Sequence, residues 1–284
     1  MREIREKAYA KLNISLDVMG KRPDGYHEML MVMQTVTLWD DITLTENDSG
    51  KISASSNMHF IPGDERNLAV KAALRYLSEI GAESPGLHIA MKKRIPVGAG
   101  MAGGSADAAA VLKGMNRLYG ERLSHERLVE IGADVGSDVP FCVMGGTALA
   151  SGRGEILERI SPMPDCWFVI CKPEFSISTP ELFRKLDSAA SRRHPDTQGI
   201  LQAIEKGDLK QVCRRMYNVF EDVDDRRMRS VSRIKGELLD EGALSAMMTG
   251  TGSAVFGVFE DGERAKKAGE KLRQGGFCAV AQPI

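Results

Sequence analysis

The sequence predicts an α+β protein of two domains, and three stretches carry that prediction. Residues 8–45 read as successive strands, residues 96–112 as a glycine-rich loop opening straight into a helix, and residues 244–259 as two strands joined by five small residues, with helices on either side. At 284 residues the chain exceeds the roughly 250 at which a single core stops growing, so two cores are expected. The boundary falls near residue 160, where Ser161-Pro162-Met163-Pro164 interrupts any regular element, which gives domains 1–160 and 161–284.

Taken in order, Leu12, Ile14, Leu16 and Val18 alternate with polar neighbours, the pattern of a half-buried strand. Lys21-Arg22-Pro23-Asp24-Gly25 is a turn, because proline presets φ and glycine accepts the left-handed position. Residues 29–38 form the next strand, with Met29, Met31 and Met33 on one face as core packing, and residues 42–45 a further one, completing a β-meander. Asn67 precedes an apolar stripe at helical spacing over 68–77, which Gly81 stops. A strand at 87–91 leads into the glycine loop and its helix. Ser124 caps a helix running to about 134, followed by the turn Gly136-Ser137-Asp138-Val139-Pro140 and a strand at 147–150. The second domain starts with a strand at 167–171. Helices follow near 179–190, 197–216 in one or two pieces, and 226–241, then strands at 244–248 and 254–259, a helix at 263–274 and a strand at 277–281.

Composition narrows the classes of function. A net charge of −1 gives no strongly basic face for nucleic acid. The five cysteines, Cys142, Cys166, Cys171, Cys213 and Cys278, are scattered, odd in number and without a C-x-x-C pair. That argues against both a disulfide framework and a zinc site and suits a reducing cytoplasm. The five histidines include no H-x-x-x-H pair. Residues 1–7 lack the apolar core of a signal peptide, and no run approaches the roughly 20 apolar residues that span a bilayer, so no membrane partner is expected.

The chemistry centres on Pro96-Val97-Gly98-Ala99-Gly100-Met101-Ala102-Gly103-Gly104-Ser105-Ala106. Its glycines allow positive φ and close backbone approach, and the helix that follows offers unpaired N–H groups and the positive end of its dipole to an anion. Phosphate is the natural guest. A Walker A loop is excluded, since no lysine follows Gly103-Gly104. Gly98-x-Gly100-x-x-Gly103 matches the dinucleotide fingerprint, but Glu121, at the distance of its acidic residue, follows the loop helix with no strand between. A flexible glycine linker accounts for the glycines but not for the immediate helix.

The string Pro-x-x-x-Gly-x-x-Gly-Gly-Ser-x-Asp-Ala-Ala resembles the ATP-binding loop of the GHMP kinases, which lack Walker A. Three further stretches match that family in order and spacing: the strand with Lys11 and Asn13, the Gly136–Pro140 segment, and Thr249-Gly250-Thr251-Gly252-Ser253. The resemblance implies a ribosomal-protein-S5-like N-terminal domain that binds ATP with Mg²⁺ and a ferredoxin-like split βαβ C-terminal domain completing the substrate cleft. Ala10-Lys11-Leu12-Asn13, Arg22-Pro23-Asp24-Gly25-Tyr26-His27 and the late glycine loop resemble the branch that phosphorylates a cytidine-diphosphate-linked methylerythritol, on the non-mevalonate route to isoprenoid precursors. Other branches act on mevalonate, homoserine or sugars, and a silent nucleotide sensor on the same fold is a further alternative.

On this resemblance Asp138 is the base that takes the substrate proton, and Lys11, paired with it, offsets phosphate charge. Without it, Asp138 reads as a turn or capping carboxylate and Lys11 as a strand-edge charge. Residues 96–106 and Asn67 are carried over as ATP contacts, although Asn67 also reads as a plain helix cap. Asn13, Tyr26, His27, Lys93, Thr179 and Phe183 match substrate-side positions, with Tyr26-His27 bordering the cytosine. Ser105 is a candidate donor to phosphate or metal; the metal ligands and the oligomeric state are left open. Departures from the family's Leu-Gly-Gly-Gly-Ser-Ser include Ala102, where positive φ brings strain, and Ala106, where a hydroxyl is missing.

Overall fold

The computed structural model describes residues 2–83, 86–188 and 193–284. By packing, the chain divides into two compact units that interleave along the sequence. The first holds Met1–Ala10, Leu38–Val97 and Ala102–Gly145, and the second Lys11–Thr37, Gly98–Met101 and Gly146–Ile284. The interleaving arises because the first two strands, β1 (Glu3–Lys21) and β2 (His27–Glu46), are long enough to pass from one unit into the other.

In the first unit the sheet order is β3 (Ile52–Ser56), β4 (Leu87–Lys92), β2, β1, with β3 parallel to β4 and β2 antiparallel to it. On β4, Leu87, Ile89 and Met91 are buried, while His88 between them meets the hydroxyls of Ser53 and Ser55. Four helices pack with one another: α1 (Leu68–Ile80), α2 (Gly103–Leu118), α3 (His125–Val135) and α4 (Val139–Met144). Helix α1 starts where the Asn67 side chain accepts the Ala69 N–H and stops at Gly81, φ 61°, and it buries Val70, Ala73, Tyr76 and Leu77. Helix α2 is lined with Ala106, Ala108, Ala109 and Ala110, all buried, so its backbone approaches its neighbours closely. A Cβ at Gly114 would stand 2.6 Å from Leu44 Cδ1, which shows how near the helix lies to the sheet.

The second unit has two sheets. One runs β6 (Ile156–Arg159), β5 (Thr147–Gly152), β2, β1, β8 (Tyr217–Asn218), with β8 parallel to β1. The other has the order β11 (Phe277–Ala281), β7 (Trp167–Lys172), β10 (Val255–Phe259), β9 (Ser245–Met248), and its neighbouring strands are antiparallel. Helices α8 (Met228–Asp240) and α9 (Gly262–Leu272) pack on it, giving the split βαβ arrangement expected from the sequence. Helices α5 (Thr179–Asp187), α6 (Thr197–Glu205) and α7 (Leu209–Arg215) complete the unit.

The α+β class stands, and the differences have local causes. The two strands expected at 29–38 and 42–45 are one, and the Asp40 carboxylate between them accepts the Ile95 N–H at 2.8 Å and meets Lys93. Strand β3 is a half-buried edge rich in serine, with little apolar signal. The region 197–216 folds as two helices, since Asp208 starts a new cap. Helix α5 ends at Asp187; residues 189 and 190, expected as its continuation, lie outside the described residues.

Candidate active site

In the first unit, three of the expected segments come together. The Cβ position of Gly104 is 3.6 Å from Leu68 Cδ1, and that of Gly136 is 3.9 Å from the same atom and 4.0 Å from Ser105 Oγ. The N-termini of α1 and α2 therefore meet beside the Gly136–Pro140 segment, and the positive ends of two helix dipoles converge where a phosphate is expected. Asp138 heads α4, yet its side chain makes no capping bond, so the half-buried carboxylate is not spent on the helix. Asn67 is spent: Oδ1 accepts the Ala69 N–H at 3.0 Å and Nδ2 donates to the Pro62 carbonyl at 2.8 Å. Its side chain serves as the cap of α1.

Ala102, at the Ncap of α2, sits at φ 57°, ψ 31°, so the strain that alanine brings there is present. Ala106 is 1% exposed and lies on the packed side of α2. Lys93, expected at the substrate side, has its ammonium buried between the carboxylates of Asp40 and Asp107, with the Gly103 carbonyl at 3.4 Å. These surroundings make it a cation of the loop's foundation. Burial raises the Asp107 carboxyl to about 7, with Lys93 opposing the shift and Asp40 adding to it.

In the second unit, loop residues 98–101 pack against the late glycine loop. A Cβ on Gly100 (φ 75°) would stand 2.2 Å from the Thr249 carbonyl oxygen, and one on Gly250 (φ 56°) 2.9 Å from that of Gly100. Only glycine permits this approach. The Ala254 N–H donates to the Ala99 carbonyl at 3.2 Å, the Lys11 N–H to the Met101 carbonyl at 3.2 Å, and Ser253 Oγ to the Phe175 carbonyl at 2.6 Å. Lys11 Nζ donates to Asn13 Oδ1 at 2.7 Å, while the Asn13 N–H donates to Thr249 Oγ1 at 3.0 Å. Lys11, Asn13 and Thr249 thus form one buried polar group on the face of β1 opposite Leu12 and Ile14, each less than a tenth exposed.

Of the other residues expected on the substrate side, His27 and Phe183 are in contact. The His27 ring stacks on Phe183, centroids 4.4 Å apart at 23°, and its Nε2 meets Asp187 at 2.8 Å. Phe183 also meets Phe220 edge-on at 4.9 Å, while Tyr26 is 56% exposed with the Arg153 guanidinium 5.0 Å above its ring. Thr179 Oγ1 is 2.8 Å from Thr251 Oγ1, which joins the start of α5 to the late loop. Sequence reasoning missed Asn218, whose Nδ2 donates to the carbonyls of Met248 and Gly250, both at 2.8 Å, and so holds that loop. Its one signal was a polar residue inside an apolar run. It also missed Asp40 and Asp107 as partners of Lys93.

Among the described residues no helix is long and apolar enough to cross a membrane, and no group of three or more His, Cys, Asp or Glu is placed to hold a metal. A magnesium ion needs no such group, because phosphate oxygens and water supply most of its ligands.

The family model for the GHMP kinases N terminal domain matches residues 67–146, and that for the GHMP kinases C terminal matches residues 200–277. The 4-diphosphocytidyl-2-C-methyl-D-erythritol kinase of Bacillus pumilus (strain SAFR-032) is 46% identical over 275 residues, covering 97% of this chain and 94% of the relative. The same kinase of Bacillus subtilis (strain 168) is 46% identical over 277 residues, with the same coverage of 97% and 94%. A solved 4-(cytidine 5'-diphospho)-2C-methyl-D-erythritol kinase has TM-score 0.83 at 31% identity and covers 99% of both chains. A homoserine kinase from Cytophaga hutchinsonii has TM-score 0.78 at 21% identity, covering 100% of this chain and 95% of its own, a likeness of fold alone.

Proposed function

The chain belongs to the GHMP kinases, and from that membership we propose that it transfers the γ-phosphoryl group of ATP to the 2-hydroxyl of 4-diphosphocytidyl-2-C-methyl-D-erythritol. The observation that carries this is the 46% identity to kinases of that name over 97% of the chain. It is a phosphotransferase with an alcohol acceptor, in isoprenoid precursor synthesis. The N-terminal domain, 1–160, binds ATP, and the C-terminal domain, 161–284, completes the substrate cleft.

Phosphoryl transfer of this kind requires a placed hydroxyl, an acceptor for its proton and positive charge on the migrating group. Residues 96–106 and the head of α2 receive the phosphates. Asp138, free of a capping duty, accepts the hydroxyl proton as the oxygen attacks. Lys11, oriented by Asn13 at 2.7 Å, carries the positive charge that offsets the phosphate. Mg²⁺ bound with the nucleotide would neutralise phosphate charge, and the Ser105 hydroxyl would meet a phosphate oxygen or the ion. Tyr26 offers an aromatic face to the cytosine. With His27 Nε2 on Asp187 at 2.8 Å, Nδ1 and backbone groups read the edge of the base, while Thr179 and Phe183 border it from α5. The cytoplasm is its compartment on the reading of five scattered cysteines without a C-x-x-C pair.

Incubation with Mg-ATP and the cytidine-linked substrate should give ADP and a monophosphorylated product. Asp138→Asn, folded and still binding both substrates, should turn over about 10² to 10⁴ times more slowly, the usual worth of a general base. Parental turnover in that variant would remove Asp138 from the chemistry.

A further inference from the structure

Both ends of the phosphate loop rest on the same three side chains. Lys93 and Ile95 lie just before Pro96, where the loop begins, and Gly103 and Asp107 open the helix into which it runs. The Lys93 ammonium, 2% exposed, binds Asp40 Oδ2, Asp107 Oδ2 and, at 3.4 Å, the Gly103 carbonyl. The second oxygen of Asp40 accepts the N–H groups of Arg94 and, at 2.8 Å, Ile95. Asn57 holds the Lys93 backbone from both sides, accepting its N–H at 2.8 Å and donating to its carbonyl at 3.2 Å. A Cβ on Gly103 would stand 3.1 Å from Ile95 Cγ2 and 3.6 Å from Lys93 Nζ, so the two ends of the loop are in direct contact.

We propose that Asp107 is a positioning residue for ATP: through Lys93 and Asp40 it clasps the two ends of the phosphate loop and holds the head of α2 ready for the phosphates. The inference rests on the loop's being the ATP site. A buried lysine between two carboxylates is a poor way to gain stability, since apolar residues of the same size commonly do as well. It is a good way to fix geometry, because each charge admits few alternative partners. Among the described residues the second oxygen of Asp107, which is buried, has no hydrogen-bond partner, so this residue is kept at a cost to the fold. Closing a loop in advance removes an ordering cost from ligand binding, and freeing one backbone residue corresponds to about tenfold in an equilibrium constant.

Asp107→Ala separates the two roles. It leaves the charge-balanced Asp40–Lys93 pair, puts a strong helix former in α2 and removes the unpaired oxygen, so the melting temperature should be unchanged or higher. The KM for ATP should nevertheless rise about tenfold, with kcat at saturating ATP and the KM of the alcohol substrate within about twofold of the parent. Asp107→Asn, which keeps an acceptor for Lys93, should recover most of the ATP affinity. A folded Asp107→Ala with parental KM for ATP overturns the clasp, as does an equal rise in both KM values that follows a lowered melting temperature. If Asp107→Ala does not fold, Asp107→Ser carries the same expectation and the same overturning results. A parent protein that saturates with ATP while Asp107→Ala is unmoved overturns the clasp alone, whereas a parent that never saturates with ATP overturns the kinase reading as well.

Discussion

Single side chains carry opposite loads around the loop. Ala102 holds φ 57° without being glycine, which costs about 1–2 kcal/mol. Glycine there would relieve the strain but give back about 0.4–1 kcal/mol through a freer unfolded chain. Ala102→Gly should therefore stabilise the protein by about 0.5–1 kcal/mol in urea unfolding, and a destabilised variant would mean that the alanine methyl makes contacts worth more than the strain. Asp107 loads the fold through pH. Its folded pKa, about 7, lies above the ordinary value of about 3.9, so its stabilising contribution is complete below about pH 4 and is lost as pH rises to about 7. The unfolding free energy of the parent, relative to Asp107→Asn, should fall across that window by at most about 1.4 kcal/mol per pH unit. Parallel curves for the two proteins would contradict the assigned shift.

At the scale of elements, the two glycine loops are positioned from outside themselves. Asn218 donates to the Met248 and Gly250 carbonyls and accepts the Phe220 N–H at 3.0 Å, all buried, so one side chain fixes the late loop. Asn218→Ala leaves these groups unpaired and should cost about 2–4 kcal/mol, read by denaturation. A loss under about 0.5 kcal/mol would show that the loop holds its shape without it. Helix α5, which carries Thr179 and Phe183, is anchored by Lys185 and Glu181 to the Asp225–Arg227 pair, and the hydrogen bonds from Arg227 hold the Asp225 carboxyl far below the usual carboxylate range. In the first loop, Gly103 and Gly104 differ as probes. Valine at 103 would crowd Ile95 beneath it, whereas a Cβ at 104 meets only Leu68, at an ordinary 3.6 Å. Gly104→Val should keep the melting temperature and lose most ATP binding by calorimetry, and unaltered ATP affinity in the folded variant would take the loop out of the site.

Over the whole molecule, legibility followed the range of the interactions. Local patterns declared themselves: the alternation of β1, the glycines running into the alanines of α2, and the tight pair β9–β10. What escaped depends on residues far apart in sequence. Asp40, between the two strands expected there, has its partners Lys93, Arg94 and Ile95 more than 50 positions away. Asn218 acts on carbonyls about 30 residues downstream, and Lys93 meets Asp40 and Asp107 from 53 and 14 positions away. The interleaving of the two units has no compositional mark, since it comes from the length of β1 and β2. The motifs whose resemblance points to the cytidine-linked branch are short, Ala10–Asn13, Arg22–His27 and the late glycine loop, and on the proposed function they bear on which alcohol is taken. A site built to pair with the edge of a base rejects substrates lacking that base, because its polar groups are left unpaired. The direct test offers limiting Mg-ATP to an equimolar mixture of 4-diphosphocytidyl-2-C-methyl-D-erythritol, free methylerythritol, mevalonate and homoserine, and identifies the phosphorylated products by mass. The account predicts phosphate almost wholly on the cytidine-linked substrate; phosphate mainly on mevalonate, homoserine or free methylerythritol would contradict it.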